Sequence, residues 1–406
     1  MFPQPGSKRR AIVMSCFVTL SIVGAGGLAT HAAAATNHSS TAWSIQPSPN
    51  PTGAISSALV AVSCPMNGHC AAVGNSYTAS NGQIAFAESL LGSTWTVDAT
   101  PTLSGVDSSA FSGVSCAQPR NCEAVGYTVS THTHPNVLPL VEKWNGSSWT
   151  QAQVPIPTTA TWAILNAVSC PMARSCTAVG GFIGRGVSAV EQPLVEQWNG
   201  SAWSVSPAPN PRAENGSDFT SVDCLSPGSC EVVGDYDYAD IAQSVFAYGY
   251  SGGVWTPQTQ VNPIGQQSNS DASVSCNSAT VCNSVGSWIG NDTLGLAEFW
   301  NGASWVRQAS GGPHGTATNE LFGVSCAGLE LCVAVGDSSV NANGSPTQSM
   351  AEDWTGSAWL QVPTANPAGA SDSLKGVSCP PLGSCIAVGS TSVTSAGSTL
   401  VEVRHG

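Results

Sequence analysis

The stretch Asp235-Tyr236-Asp237-Tyr238-Ala239-Asp240 sets three carboxylates within six residues. Two chemistries suit such a stretch: oxygen ligation of Ca²⁺, or acid–base work by a carboxyl whose pKa is raised. A solvated loop is the plainer reading. His132-Thr133-His134 offers two imidazoles, but no partner ligand is in view, so no metal site is assigned. Cysteine is the other reactive type. Beyond Cys16 the chain carries fourteen, in seven Cys-x5-Cys pairs: Cys64 with Cys70, Cys116 with Cys122, Cys170 with Cys176, Cys224 with Cys230, Cys276 with Cys282, Cys326 with Cys332 and Cys379 with Cys385. A metal site needs about four converging ligands, and these pairs have no histidine at fixed spacing. Catalytic thiols do not come in seven copies. One short disulfide per pair, formed in an oxidising compartment, is what remains. HExxH, GxSxG, Walker and Rossmann signatures are absent, and no cofactor is expected.

The aromatic residues carry the binding chemistry. Of thirteen Trp, seven recur in one slot (Trp43, Trp95, Trp149, Trp203, Trp255, Trp305, Trp359) and four in a second (Trp144, Trp198, Trp300, Trp354). These eleven read as packing residues of a repeated sheet. Trp162 and Trp288 stand outside both slots. Tyr77, Tyr127, Phe182, Tyr236 and Trp288 follow the Ala-Val-Gly motif of five repeats. Aromatic faces among Asn, Ser and Asp suit sugar or peptide binding; the alternative is that the rings pack loop on loop. The candidate binding set is therefore Trp162, Trp288, Tyr77, Tyr127, Phe182, Tyr236, Tyr238, Asp235, Asp237 and Asp240.

The elements that must position these residues follow from the repeat. The first cysteines of successive pairs lie 50 to 54 residues apart. The third repeat reads LNAVSC-PMARS-CTAVGG, a variable stretch, PLVEQWNGSAWSV and a Pro-rich stretch. It holds four strand-like runs: one ending at Cys170, Cys176–Val179, Leu194–Trp198 and one starting near Trp203. Asn199-Gly200 predicts a tight hairpin with positive φ at both central positions, and no window has a capped helical period. Four antiparallel strands in about 50 residues, repeated, is the arithmetic of a β-propeller. An open solenoid or a string of small domains are the rivals; a unit this small lacks the core to stand alone. The seventh repeat stops at Arg404-His405-Gly406, and its missing fourth strand matches Ser40–Pro47. The expected fold is thus all-β, a seven-bladed β-propeller with four antiparallel strands per blade, its last blade closed by the N-terminal strand.

The pattern VSC-x5-C-x-AVG with LVE-x-WNG-x-x-W resembles the repeat of secreted actinobacterial propeller-like proteins and, more distantly, kelch-type propellers, although the kelch double glycine is absent. The resemblance covers Thr41 to the C-terminus and implies the fold; it implies no activity. The Glu of LVE recurs at Glu88, Glu142, Glu196, Glu298, Glu352 and Glu402, with Tyr248 in the remaining slot. These are read as hydrogen-bond acceptors for a neighbouring blade's backbone. Tight connections (Cys-x5-Cys and Trp-Asn-Gly) alternate with loose ones, so they open on opposite faces. Function is assigned to the loose-loop face.

Lys8-Arg9-Arg10, the apolar run from Ala11 and the small residues at His31–Thr36 predict a signal peptide over 1–35, a linker over 36–40 and the propeller over 41–406. An uncleaved anchor is the alternative. Removing the signal leaves eight Lys and Arg against 24 Asp and Glu, a formal charge of −16. Such a surface repels nucleic acid and anionic lipid. The sequence therefore points to a secreted, monomeric, non-catalytic recognition module for a glycan or an extracellular protein. The alternative is a glycoside hydrolase or lyase working through Asp235, Asp237 or Asp240.

Overall fold

The computed structural model describes residues 42–79, 82–133, 135–186, 189–211, 216–238, 242–260, 268–290, 292–313, 315–328, 331–341, 344–381, 383–393 and 396–405. These form 28 strands and no helix. The fold is an all-β propeller of four-stranded antiparallel sheets, each built by one Cys-x5-Cys repeat. The fifth and sixth repeats are joined into an eight-stranded sheet by a single parallel bridge, Thr293 to Thr318. In the seventh repeat the strand Ser44–Ile45 pairs with Val403 and Glu402, next to Gly397–Arg404, Cys385–Ser392 and Ser371–Ser378.

All seven Cys-x5-Cys pairs are disulfides: Cys64–Cys70, Cys116–Cys122, Cys170–Cys176, Cys224–Cys230, Cys276–Cys282, Cys326–Cys332 and Cys379–Cys385. Each ties the first strand of a repeat to its second. The bridges do more than staple their own hairpins, the single role expected of them. Cys122, Cys176, Cys282 and Cys332 are buried opposite the third-strand tryptophans Trp144, Trp198, Trp300 and Trp354, so their sulfurs are also core atoms. Two of them differ in their polar surroundings. Cys332 Sγ accepts the Asn283 amide of the preceding repeat at 3.3 Å, so this bridge also joins two repeats. Cys122 Sγ lies 4.0 Å from the Gln118 carbonyl in its own hairpin. A disulfide sulfur has no proton to donate, so that approach is a packing contact and not a hydrogen bond.

The second strands carry small apolar runs such as Cys70-Ala71-Ala72-Val73-Gly74, buried along their length. They can be so because a neighbouring sheet covers each side. The glycine that ends the run has a steric cause. Each first strand holds a β-bulge, as between Leu59 and Ala61. The bulged strand brings a carbonyl against the glycine: a Cβ on Gly74 would lie 2.0 Å from the Ala58 oxygen, and one on Gly286 1.8 Å from that of Ser270. The seven bulges also turn their extra residues, Val60, Ser112, Asn166, Thr220, Ala272, Phe322 and Lys375, toward one cavity of about 200 Å³.

Successive repeats are stitched by one recurring bond. The serine of the Val-Ser-Cys motif accepts the cysteine N–H of the following repeat: Ser63 from Cys116 at 2.9 Å, Ser115 from Cys170, Ser169 from Cys224, Ser275 from Cys326 and Ser325 from Cys379. Asp223 takes the serine's place toward Cys276, and Ser378 accepts from Cys64 at 3.0 Å. A second stitch runs farther out. Fourth-strand tryptophans donate to the fourth strand of the preceding repeat, Trp95 to Gln46, Trp149 to Asp98, Trp305 to Gln258 and Trp359 to Gln308. Within a repeat the two tryptophans flanking Asn-Gly pack together, with centroids 5.5 Å apart for Trp144 and Trp149. The eleven recurrent tryptophans are packing residues.

Two local expectations change. Trp198 pairs directly with Trp203, so the Asn-Gly turn has four residues rather than two. Its glycine takes positive φ (93° at Gly200), and the Asn199 Oδ1 accepts the N–H groups of Ser201 and Ala202, which organises the rest of the turn. The strands also run past the Ala-Val-Gly motif, to Ile183 in the third repeat and Tyr238 in the fourth. This shortens the loose loops. Asp235–Tyr238 is therefore strand rather than loop, and Trp162 and Trp288 are strand residues too. Backbone pairing continues because alternating polar and aromatic residues still fit a half-buried sheet end.

The Glu slot behaves as an acceptor where the preceding loop offers a donor. Glu402 accepts the Ala365 N–H and the Ser349 hydroxyl; Glu352 accepts Gly311 N–H and Ser310; Glu88 accepts Ser48. Glu196 has neither oxygen bonded, and Glu142 leaves one without a partner. At that loop position their donors are replaced by the apolar side of Val154 and by Thr100, which bonds the Ala85 carbonyl instead.

Candidate functional site: a cleft on the loose-loop face

Strand register separates the aromatic set. Phe182, Tyr236 and Trp288 lie two residues beyond the motif glycine, Tyr127 one and Tyr77 three. Side chains alternate along a strand. Tyr77 and Tyr127 thus face the opposite side of their sheets from the other three, and the five are not one rim. Phe182 packs on the third-repeat core. Tyr236 packs on the fourth, 6.2 Å from Phe246. Tyr77 is exposed. Trp162 sits opposite Ile183 in the third repeat, away from Trp288.

Trp288 lines a cleft of about 630 Å³ with Arg307, Gln308, Ser310, Thr316 and Asn319. It stands near the end of strand Val281–Ile289, opposite Asn269 and Leu294. The other wall is strand Trp305–Gln308 and the glycine-rich loop after it. The Arg307 guanidinium lies over the Trp288 ring, its Cζ 4.7 Å from the centroid. Gly295 opens the floor. Its N–H donates to the buried Asn319 Oδ1 at 2.6 Å, and a Cβ there would meet Ser310 Oγ at 2.8 Å. The disulfide cysteines take no part in this cleft. They close the hairpins at the other end of the second strands, and Cys122 and Cys332, like Cys282, are sealed in the cores of their repeats.

The molecule supplies its own control, because each cleft position has six counterparts. The Arg307 slot elsewhere holds Ile45, Val97, Gln151, Val205, Pro257 and Gln361, each opposite the Glu or Tyr of the third strand. The Gly295 slot holds Ala85, Pro139, Pro193, Val245, Ser349 and Thr399. The Trp288 slot holds two other rings, both packed inward, and otherwise Ser or Thr. Three departures from the repeat thus meet in one place: a ring, a cation and a missing side chain.

Beneath the cleft lies a buried acidic chain. Asp235, only 7% exposed, accepts the Ser270 hydroxyl at 2.8 Å and the Asp271 N–H at 3.1 Å. The Gln260 amide donates to both Asp271 and Glu298, and Glu298 faces Arg307 across the strands. Burial pushes the Asp235 and Asp271 carboxyls well above the ordinary range. Asp235 is therefore sealed structure, not a loop ligand. Asp237 is exposed at the strand end, the Tyr238 side chain and Asp240 lie outside the described residues, and so does His134. His132 lies 3.8 Å from Asp107. Among the described residues no group of three metal-ligating side chains is placed to hold an ion.

A separate set of carboxylates meets between the third and fourth repeats. Glu191 is pushed to about 8 by burial and by Asp218 and Asp237. Asp218 is pushed to about 6 by burial, against the Asn166 amide that donates to it at 2.9 Å. Neither Glu191 nor Asp218 was a sequence candidate, since no motif marks them. Arg307 and Gly295 were missed as well; their signal is departure from the repeat, visible only once the slots are aligned on register.

No family model and no curated protein matches the chain. Solved structures do. A polysaccharide lyase of family PL25, an ulvan lyase, has a TM-score of 0.55 at 9% identity, over 86% of this chain and 94% of the lyase. A protein of unknown function from Dyadobacter fermentans has 0.51 at 9%, over 89% and 97%. YCF48 bound to D1 peptide has 0.50 at 12%, over 91% and 96%. At such identities the likeness shows the β-propeller fold alone. Among the described residues no helix is long and apolar enough to cross a membrane, and the seven disulfides accord with an oxidising environment.

Proposed function

We propose that the protein is a secreted, monomeric recognition module without catalytic activity, which binds saccharide through the Trp288–Arg307 cleft. In this reading residues 1–35 are removed as a signal peptide, 36–40 are a linker, and 41–406 close as a seven-bladed propeller of the secreted actinobacterial repeat type. Closure is supported by the pairing of Ser44–Ile45 with Val403–Glu402 and by the Ser378–Cys64 bond that continues the series of serine-to-cysteine stitches. The observation that carries the binding role is the cleft itself. It offers a tryptophan ring, hydrogen-bonding side chains and backbone left open by glycine, the mixture that sugar rings require. Titration of the protein with an oligosaccharide panel is the test. Binding weakened about tenfold or more by Trp288→Ala, with the near-UV spectrum otherwise kept, is the expected result. A panel without a single ligand, or binding indifferent to Trp288→Ala, rejects it. A pull-down from culture medium covers the protein-partner version, which the peptide bound to YCF48 brings to mind.

A polysaccharide-active enzyme on the same face is the second reading. It is favoured by the Glu191–Asp218 pair beside Asp237, since the carboxyls of Glu191 and Asp218 are held apart in acidity as acid–base pairs are, and by the likeness in fold to a lyase. Depolymerisation abolished in Glu191→Gln would establish it.

A further inference from the structure

We propose that the Trp288 cleft selects an anionic saccharide, one carrying a carboxylate or a sulfate ester, and that Arg307 is the residue that reads the charge. This rests on the saccharide reading above and narrows it.

The chain is poor in cations, and three of the described ones are held by its own acids. Lys143 lies 3.3 Å from Glu123, Lys375 lies 3.8 Å from Asp337, and Arg404 is bonded to Asp353. Arg307 makes no such ion pair within 4 Å among the described residues. Its guanidinium lies over the Trp288 ring instead, with Cζ 4.7 Å from the centroid. A cation–π contact of this kind leaves the guanidinium N–H groups, the fork that fits a carboxylate or sulfate, to be claimed by a ligand in the cleft that Arg307 lines. The wall opposite is glycine and hydroxyl, so a ligand's ring can approach the tryptophan edge while its charged group reaches the fork.

The acids that face Arg307 do not take the ligand's place. Glu298, its cross-strand neighbour, and Asp271 behind Gln260 are both fully buried. Burial lowers the Arg307 pKa, while the field of Glu298 favours the charged guanidinium. An anion arriving in the cleft restores what burial took away. In six other repeats the same slot holds an apolar residue, a proline or a glutamine, all of which satisfy the scaffold. The scaffold therefore has no need of an arginine there.

The test compares a tetragalacturonate, its carboxyl-reduced neutral counterpart and a sulfated galactan oligosaccharide by calorimetry. The acidic forms are expected to bind about tenfold or more tightly than the neutral one, a preference that shrinks as NaCl rises from about 50 to about 500 mM. Arg307→Gln is expected to bring the acidic forms down to the affinity of the neutral form measured in the same variant, and Arg307→Lys to keep part of the preference. Equal binding of charged and neutral forms, or a preference that survives Arg307→Gln, overturns the proposal and leaves the saccharide reading standing. Binding of none of them to the unsubstituted protein overturns both. A preference for sulfate over carboxylate, or the reverse, identifies the anion.

Discussion

Two grooves use the same fourth-strand positions and end up chemically opposed. Beside Trp95, the first repeat forms a groove of about 550 Å³ lined by Val97, Asp98 and Ala99. Beside Trp305, the fifth repeat forms the cleft lined by Arg307, Gln308 and Ala309. The fourth-strand register is shared, Val97 facing Glu88 as Arg307 faces Glu298. In the first repeat Ser76 stands where Trp288 does, and Ala85 where Gly295 does. The contrast teaches that the repeat specifies where a groove lies and the exceptions specify what it holds. It also divides the residues into two classes with separable consequences: stitches, whose loss loosens the sheets, and exceptions, whose loss changes binding.

The sharpest way to break that division is to remove a stitch. Trp359 is fully buried, packs against Trp354 at 5.5 Å and donates to Gln308 in the preceding repeat. Trp359→Ala is expected to cost about 3–5 kcal/mol in urea unfolding, whereas Trp288→Ala, half-buried at a strand end, is expected to stay within about 1 kcal/mol. Equal losses would mean that Trp288 is a packing residue after all.

Acidity separates the repeats next. Burial lifts the Glu196 and Glu142 carboxyls to about 8 each, against an ordinary value of 4.5. The folded state therefore keeps a proton that the unfolded chain releases. Their contribution to stability is fully present below about pH 4.5 and is lost as pH rises through about 8. Melting is expected to be higher at pH 5 than at pH 8. Glu196→Gln should flatten the slope by roughly 1.4 kcal/mol per pH unit inside that window. Glu402, bonded by Ala365 and Ser349, should lose far more when changed to Gln than Glu196 does, because its partners are then mismatched. A stability curve that rises between pH 5 and 8 would refute the assignment.

A disulfide comes third. Cys224 and Cys230 are direct cross-strand partners, and their bond closes a loop with a sequence separation of 6. Replacing both with serine is expected to cost roughly 2 kcal/mol by loop-closure arithmetic and to leave saccharide binding in the fifth repeat unchanged. Altered binding would show that the repeats do not act separately.

The order of these effects explains what could be read from the chain alone. Cys-x5-Cys, Ala-Val-Gly and Trp-Asn-Gly recur because each answers a recurring contact: a cross-strand bond and a carbonyl pressed on a glycine in every repeat, and a tryptophan facing a tryptophan in four. Identity at fixed spacing is visible in sequence, so the fold was legible. What a single copy adds was not: the bond from Asn283 to Cys332 depends on an asparagine that no other repeat places there. The cleft was half legible. Trp288 stands out as a tryptophan beyond the slots, but its neighbours are brought in by register across three strands, and Arg307 is ordinary in sequence. Asp235 misled because its partners, Ser270 and Asp271, belong to the next repeat. Nothing local tells a strand end that stacks on a neighbour from a loop that meets water.

The smallest expected effect gives the finest test of convergence. Val97→Arg places a guanidinium at the first-repeat counterpart of Arg307, on an exposed position where the change should fall within about 0.5 kcal/mol. It should create no affinity for acidic saccharide, for two reasons. Ser76 offers no ring for the guanidinium to lie on, so the side chain is free to fold onto Asp98, which is already present in the groove. And Ala85 carries a side chain where Gly295 has none, its N–H held by Ser109 as that of Gly295 is by Asn319. If the single substitution did confer binding, a cation in any groove would suffice, and the meeting of ring, cation and glycine in the fifth repeat would lose its meaning.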